Sequence, residues 1–346
     1  MEIVIGLFII AIGAFCQSSC YVPINKIKDW SWESYWIVQG LFAWLVFPLL
    51  GALLAVPEGY SLFDFFANSS SLSVSMTVLF GVLWGVGGLT FGLSMRYLGV
   101  ALGQSIALGT CAALGTVMGP VLINLLFPET EALSKLTASV LIGVVVTLIG
   151  IAVIGIAGGM KSKSLSEEEK KAAVKDFDFS KGLAIALLAG FMSGCFNVGL
   201  AFGEKVTIPG ATIDPMFASL PATLLVTLGG LATNAVYCFY QNHKNGTWCD
   251  YKKAKVWGNN LLFTAMAGVL WYSQFFGLSL GKGFLTSSPT LTTFAFCILM
   301  ALNVTFSNVW GIILKEWKGC SKATIAMLVL GIVILVVSSF LPQIIG

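Results

Sequence analysis

The chain has 346 residues, of which 57% are hydrophobic and only 10% are charged. Soluble domains carry about 25% charged residues, and a membrane-spanning helix needs about 20 mostly apolar residues. The composition therefore excludes a soluble two-domain enzyme, a secreted disulfide scaffold and a disordered chain. It predicts a polytopic membrane protein with on the order of ten spans. The net charge of +3, without a basic tract, argues against nucleic acid as a partner.

Apolar runs long enough to form a spanning helix recur along the whole chain. Strands of a membrane barrel would alternate in hydropathy over about ten residues instead, so the runs predict an all-α fold embedded in a lipid bilayer. We place ten spans at residues 3–22, 34–56, 73–95, 100–126, 136–157, 181–203, 215–240, 257–280, 289–313 and 322–343.

Lys and Arg are distributed unevenly among the predicted loops. The loops that follow spans one, three, five, seven and nine hold 16 of the 19 basic residues. Cytoplasmic loops are enriched in Lys and Arg. We therefore expect these loops in the cytoplasm and both termini on the periplasmic or extracellular side of the cell's inner membrane.

The longest polar stretch lies near the middle of the chain and divides the spans into five plus five. This predicts a first five-helix repeat at 1–157, a cytoplasmic linker at 158–180 and a second five-helix repeat at 181–346. With an odd number of spans per repeat, the second copy is inserted upside down, which is the inverted-repeat arrangement of many secondary transporters.

Short internal matches agree with this duplication. Val82–Trp84 and Phe91–Ser94 in span three match Val269–Trp271 and Phe276–Ser279 in span eight, with a gap two residues shorter in the second copy. Their order along the chain is the order that an inverted repeat requires.

Several segments resemble the L-rhamnose–proton symporter family, which lies within the drug/metabolite transporter superfamily. The most specific is YVPINKIKDWSWE, at the junction of spans one and two, and the others follow in the family's order. In this sequence the segments are Tyr21–Glu33, Phe91–Gly99 (FGLSMRYLG), Asp214–Pro221 (DPMFASLP), Leu270–Phe276 (LWYSQFF) and Leu314–Trp317 (LKEW).

The resemblance implies a ten-span inverted-repeat fold that imports a small neutral deoxy sugar with a proton by alternating access. Sodium is the alternative coupling ion, and no cofactor or metal is implied. The chain departs from the family at Gly277–Ser279 and in the first half of span nine, so a sugar similar to L-rhamnose is the alternative substrate. An exporter of metabolites or drugs on the same fold is the alternative function.

An enzyme is the less favoured class. The single histidine, His243, lies in a loop, and no paired carboxylates occur near the middle of the membrane. Such a chain lacks the nucleophile, base or metal cluster that membrane-embedded catalysis requires. The sequence leaves the oligomeric state open.

A neutral sugar presents hydroxyl groups at its rim and C–H groups on its faces. Side-chain amides and hydroxyls bind the former, and an aromatic ring packs on the latter. The alternative for each polar residue is a structural hydrogen bond to a neighbouring helix or to its own backbone. The candidates for sugar binding are Gln17, Tyr21, Trp84, Asn197, Trp271, Gln274, Asn303 and Ser307.

Proton coupling needs a titratable group that alternates between exposure and burial. The carboxylates nearest to the membrane interior are Glu33, one turn into span two, and Asp214, at the outer mouth of span seven. The alternative for Glu33 is an acid favoured by the macrodipole at a helix N-terminus, between interfacial tryptophans such as Trp30 and Trp36. The alternative for Asp214, which precedes Pro215, is a helix N-cap.

Overall fold

The computed structural model describes residues 1–164, 166, 168 and 177–345. Within that part of the chain, ten helices are long and apolar enough to cross a membrane, as the sequence predicts. They are α1 (Glu2–Ile24), α2 (Trp32–Leu53), α3 (Ser71–Leu98), α4 (Val100–Leu126), α5 (Ala138–Ser164), α6 (Phe179–Gly203), α7 (Leu220–Asn245), α8 (Ala254–Phe284), α9 (Pro289–Ile313) and α10 (Lys322–Ile345).

Two of these helices contain local irregularities. In α1 the regular helix Glu2–Ser18 stops at a turn and resumes for one turn at Tyr21–Ile24. In α2 the segment Phe42–Val46 is a π-helix, in which Phe47 N–H bonds to the carbonyl of Phe42. Pro48 has no N–H to offer to the carbonyl four residues earlier, which explains why the regular hydrogen-bond ladder is interrupted here. Such π-segments are frequently found at functional sites.

The chain divides into two compact units, and each contains helices from both halves of the sequence. The first unit comprises Met1–Val86 and Gly199–Phe284, and the second comprises Gly87–Val198 and Leu285–Gly346. The predicted repeats at 1–157 and 181–346 follow chain order, so the division into repeats stays a prediction. Of the predicted linker at 158–180, residues 165, 167 and 169–176 lie outside the described part of the chain.

In the first unit, α1 packs along α8, and α2 packs against both α7 and α8. Glycines permit the closest approaches. A Cβ at Gly13 would lie 2.9 Å from the backbone oxygen of Ser273, which shows that α1 touches the backbone of α8. At one end of the unit, the short helix Leu62–Ala67 buries Phe65 against Val206 and Leu225.

In the second unit, α10 packs along α5, and α9 packs along α4. Thr147 of α5 donates a hydrogen bond to Ser338 Oγ of α10 over 3.0 Å. Such hydrogen bonds join helices in an environment where apolar burial alone gives little preference for one neighbour over another.

Candidate functional site

Three tryptophans from three different helices meet inside the first unit. The ring centroids of Trp84 and Trp271 lie 5.5 Å apart, and Trp44 contacts both rings edge-on at 6.0 and 6.1 Å. We call these three residues the tryptophan cluster. It joins two of the predicted sugar-binding residues, Trp84 and Trp271, to Trp44, which the sequence analysis did not single out.

The local backbone explains how three large rings fit there. Trp44 lies in the π-helical segment of α2, which alters the direction of its side chain relative to a regular helix. A Cβ at Gly230 of α7 would overlap the ring of Trp84, and a Cβ at Gly40 would overlap the ring of Trp44. The arrangement therefore depends on the pairing of glycines with tryptophans, which the sequence alone does not reveal.

The predicted amide residues of the first unit lie on α1 and α8. Gln17 is 3% exposed, and its Oε1 accepts no hydrogen bond from the described residues. Gln274 is also buried, and its Nε2 donates to the Trp271 carbonyl over 3.1 Å. Tyr21 is half-buried at the resumed turn of α1. A buried acceptor without a donor costs about 1–3 kcal/mol, so Gln17 is a suitable group for a ligand hydroxyl.

The other three predicted sugar-binding residues lie in the second unit. Asn303 and Ser307 are both fully buried on α9, and the Ser307 hydroxyl donates to Gln104 Oε1 on α4 and to the Asn303 carbonyl. Asn197 on α6 donates to the carbonyl of Gly115 over 2.7 Å. Its amide thus makes the interhelical bond that is the structural alternative for such a residue.

Gln104, Ser105 and Asn308 are further buried polar residues, which the sequence analysis missed. Gln104 accepts from Ser307, and Asn308 Nδ2 donates to Ser105 Oγ over 2.7 Å, so α9 and α4 share a polar seam. In the first unit, Asn234 Oδ1 accepts from the indole of Trp36 over 2.9 Å. Hydropathy averaged over a span does not reveal which polar residues find each other, and no sequence signal would have identified these pairs.

Glu33 is held in a polar network at one end of the first unit. Its side chain is 6% exposed, and its Oε1 accepts hydrogen bonds from Asn245 Nδ2 over 2.9 Å and from Thr247 Oγ1 over 2.8 Å. The neighbouring Trp30 and Trp36 are also buried, at 8% and 6% exposure. The end of α7 therefore holds the start of α2 through this carboxylate.

Asp250 is a second buried carboxylate in the same network. Its Oδ2 accepts from Ser34 Oγ over 2.9 Å and from the backbone N–H of Ser31 over 2.8 Å, and its Oδ1 accepts from Lys253 Nζ over 2.6 Å. Burial alone would raise the pKa of Asp250, but the hydrogen bonds from Lys253, Ser31 and Ser34 outweigh it and lower that pKa to about 2. The carboxylate is therefore ionised throughout the physiological range.

Asp214 lies in exposed surroundings. It precedes α7 by six residues, and its Oδ1 accepts the backbone N–H of Met216 over 2.9 Å. The N-cap of α7 is Ser219, so the carboxylate of Asp214 caps a turn and not the predicted helix. The two predicted coupling residues thus differ in environment: Glu33 is buried and hydrogen-bonded, whereas Asp214 is accessible.

Comparison with known proteins gives one consistent result. The family described as "L-rhamnose-proton symport protein (RhaT)" matches residues 1–345. Relatives named L-rhamnose-proton symporter include those of Klebsiella pneumoniae (33% identical), Escherichia coli (32%) and Citrobacter koseri (31%). Each alignment covers 97% of this chain and 96% of the relative.

Proposed function

This chain belongs to the L-rhamnose-proton symport protein family, and from that membership we propose that it imports L-rhamnose or a similar deoxy sugar together with a proton. The observation that carries the proposal is the extent of the match, which includes all ten apolar helices. The family is one of transporters, so the chain is a transporter and not an enzyme.

We further propose alternating access as the mechanism, in which the sugar site opens to one side of the membrane at a time. One proton that moves down a potential of about 100 mV releases roughly 2.3 kcal/mol. This energy supports about fifty-fold accumulation of a neutral solute, so a single titrating carboxylate suffices. A proton is the proposed coupling ion, with sodium as the alternative, and the mechanism needs no cofactor.

The proposed sugar contacts are the eight residues named from the sequence. The tryptophan cluster supports this assignment, because Trp84 and Trp271 are large aromatic rings in the unit that also holds the buried amides of Gln17 and Gln274. In the second unit, Asn303 and Ser307 are proposed to bind hydroxyl groups. Asn197 has the least support as a sugar contact, since its amide already donates a hydrogen bond to the Gly115 carbonyl.

The proposed carriers of the proton are Glu33 and Asp214. Glu33 is supported by its burial, because a carboxylate held by donors can exchange those donors for a proton when its surroundings rearrange. Asp214 is supported by its access to solvent and by its place in the segment Asp214–Pro221, which resembles the family.

We propose the inner membrane as the location, with both termini outside the cytoplasm. The distribution of Lys and Arg supports this orientation. The internal sequence matches support the 5+5 inverted repeat, with repeats at 1–157 and 181–346, and with it membership of the drug/metabolite transporter superfamily.

The test is uptake of labelled L-rhamnose into proteoliposomes that contain the purified chain. A proton gradient, acid outside, should drive accumulation that an uncoupler abolishes, and related deoxy sugars should compete. If a sodium gradient drives accumulation when the pH is equal on both sides, sodium and not the proton is the coupling ion. Absence of uptake for every deoxy sugar, with efflux of other metabolites, would support an exporter instead.

A further inference from the structure

The second unit carries a large apolar groove that plays no part in the proposed transport. It has a volume of about 1150 Å³ and is lined by α4, α5 and α6. Ile106 and Ile151 line it as buried residues, whereas Leu148, Ile156 and Leu187 line it with about half of their surface exposed. Sites for small molecules usually measure about 300–1,000 Å³ and include several convergent polar groups, so this groove fits a larger and more apolar ligand.

The length of the groove corresponds to one leaflet of a bilayer. Along α5 it extends from Leu148 to Lys163, which is fifteen residues or about 22 Å at 1.5 Å per residue. A bilayer measures about 40–45 Å across with its headgroups, so one leaflet measures about 20–22 Å. A lipid that lies along α5 would therefore reach from the headgroup region to the middle of the membrane.

The charged lining residues are confined to one end of the groove. Lys163 is exposed there, next to Asp178 and the hydroxyl of Ser180. The carboxylate of Asp178 accepts the backbone N–H of Lys181 over 3.0 Å and so caps the start of α6. Lys163 is thus the cation available to a ligand phosphate at the end where a headgroup would lie.

We propose that this groove binds one anionic phospholipid of the bilayer, with its acyl chains along α4, α5 and α6 and its headgroup at Lys163. In a membrane this apolar surface faces hydrocarbon, which fits acyl chains. A lysine at the membrane surface attracts anionic lipid with about 1 kcal/mol, or about five-fold in affinity.

Native mass spectrometry of the purified full chain tests the proposal, with phosphatidylglycerol and phosphatidylcholine as probes. The protein should retain one phosphatidylglycerol with several-fold preference. Gly155→Leu should abolish this retention by filling the groove, since a Cβ at Gly155 meets no atom within 4 Å and the fold should tolerate the change. The matched control is Gly92→Leu, because Gly92 also has open space around it but lies outside the groove.

Lys163→Gln separates the headgroup contact from the acyl-chain contact. It should lower the preference for phosphatidylglycerol about five-fold and leave binding of phosphatidylcholine unchanged, whereas Lys318→Gln, on an exposed lysine of the same unit, should change neither. Equal retention of both lipids by the unaltered protein, or undiminished retention by Gly155→Leu, would overturn the proposal. A protease site inserted within 165–176 tests whether the chain's own linker occupies the groove. Retention of phosphatidylglycerol only after cleavage at this site would also overturn the proposal.

Discussion

Neutral substitutions test each of the two carboxylates proposed for proton coupling. Glu33→Gln or Asp214→Asn should abolish accumulation of sugar against a gradient and leave sugar exchange intact, because a neutral amide cannot carry a proton whereas exchange moves none. Uptake and counterflow in proteoliposomes measure the two activities. Glu58→Gln, at an exposed loop carboxylate, serves as the control. If both variants still concentrate sugar, neither residue is the proton carrier.

The proposed sugar contacts predict a loss of affinity without a loss of fold. Trp271→Ala removes an aromatic face of the tryptophan cluster, and Asn303→Ala removes a buried amide. A hydrogen bond contributes about 0.5–1.5 kcal/mol, and packing against an aromatic face contributes a similar amount, so we expect sugar binding to weaken about five-fold in each variant, measured by calorimetry. Trp248→Ala, at a residue that is 45% exposed, should leave affinity unchanged. Unchanged affinity in both Trp271→Ala and Asn303→Ala would remove them from the site.

The low pKa of Asp250 predicts that the stability of the fold depends on pH. Its pKa is about 2 in the folded protein and about 3.9 in an unfolded chain, so ionisation of Asp250 stabilises the fold above about pH 4. The contribution, about 2 kcal/mol, is lost as the pH falls through about 2. Thermal unfolding in detergent should therefore show a stability difference between the unaltered protein and Asp250→Asn that shrinks between pH 5 and pH 2.

A matched control for Asp250 lies in the same pair of loops. Asp29 is exposed and has a left-handed backbone (φ 53°), which asparagine adopts readily, and the hydrogen bond from Lys253 Nζ goes to its backbone oxygen, which the substitution keeps. Asp29→Asn should accordingly follow the unaltered protein at every pH. If the difference in thermal stability between Asp250→Asn and the unaltered protein stayed constant from pH 5 to pH 2, the charge of the carboxylate would not be the stabilising feature.

At the scale of helices, glycines set how closely α3 and α7 approach. A Cβ at Gly81 would overlap the backbone oxygen of Val226, and a backbone cannot move aside as a flexible side chain can. Gly81→Ala should therefore force α3 and α7 apart and lower the melting temperature strongly, because forced overpacking costs about 1–3 kcal/mol or more. Thermal unfolding in detergent measures the effect.

The control for this contact is Gly92→Ala in the same helix. A Cβ at Gly92 meets nothing within 4 Å, and alanine is favoured over glycine inside a helix by roughly 0.5–1 kcal/mol. This variant should melt at the same temperature as the unaltered protein or slightly above it. A similar loss of stability in both variants would show that the contact with α7 is not the cause of the loss.

The spans themselves were predictable from the sequence because a membrane leaves the backbone few alternatives. An apolar run in lipid must satisfy its own N–H and C=O groups, which makes it a helix. Helix ends were less predictable, since polar residues can extend a helix beyond the apolar run. Thus α8 begins at Ala254 and ends at Phe284, beyond the predicted 257–280, and α7 begins at Leu220 instead of residue 215.

The partners of individual side chains were not predictable from helical spacing. The spacing of Asn303 and Ser307 indicates one shared face, and both side chains are buried. It does not indicate that Gln104 accepts a hydrogen bond from Ser307. Nor does it indicate that the amide of Asn197 donates to the carbonyl of Gly115. Those contacts depend on which helices are neighbours, and the pattern along one helix carries no information about that choice.

At the scale of the whole molecule, chain order and packing divide the protein differently. The predicted linker separates five spans from five, yet each compact unit takes helices from both sets. The first unit, for example, packs α1 and α2 against α7 and α8. The internal matches between spans three and eight concern order along the chain, whereas packing depends on long-range contacts that such matches do not specify.

Parity and charge together support the proposed orientation of the protein in the membrane. An even number of spans would place both termini on the same side, and we propose from the loops rich in Lys and Arg that this side is outside the cytoplasm. An epitope tag at either end should therefore bind antibody in intact spheroplasts, whereas a tag within the central linker should bind only after permeabilisation. Accessibility of the linker tag with both terminal tags protected would reverse the orientation. Exposure of one terminal tag alone would contradict ten spans, because an even number of crossings cannot leave the ends on opposite sides.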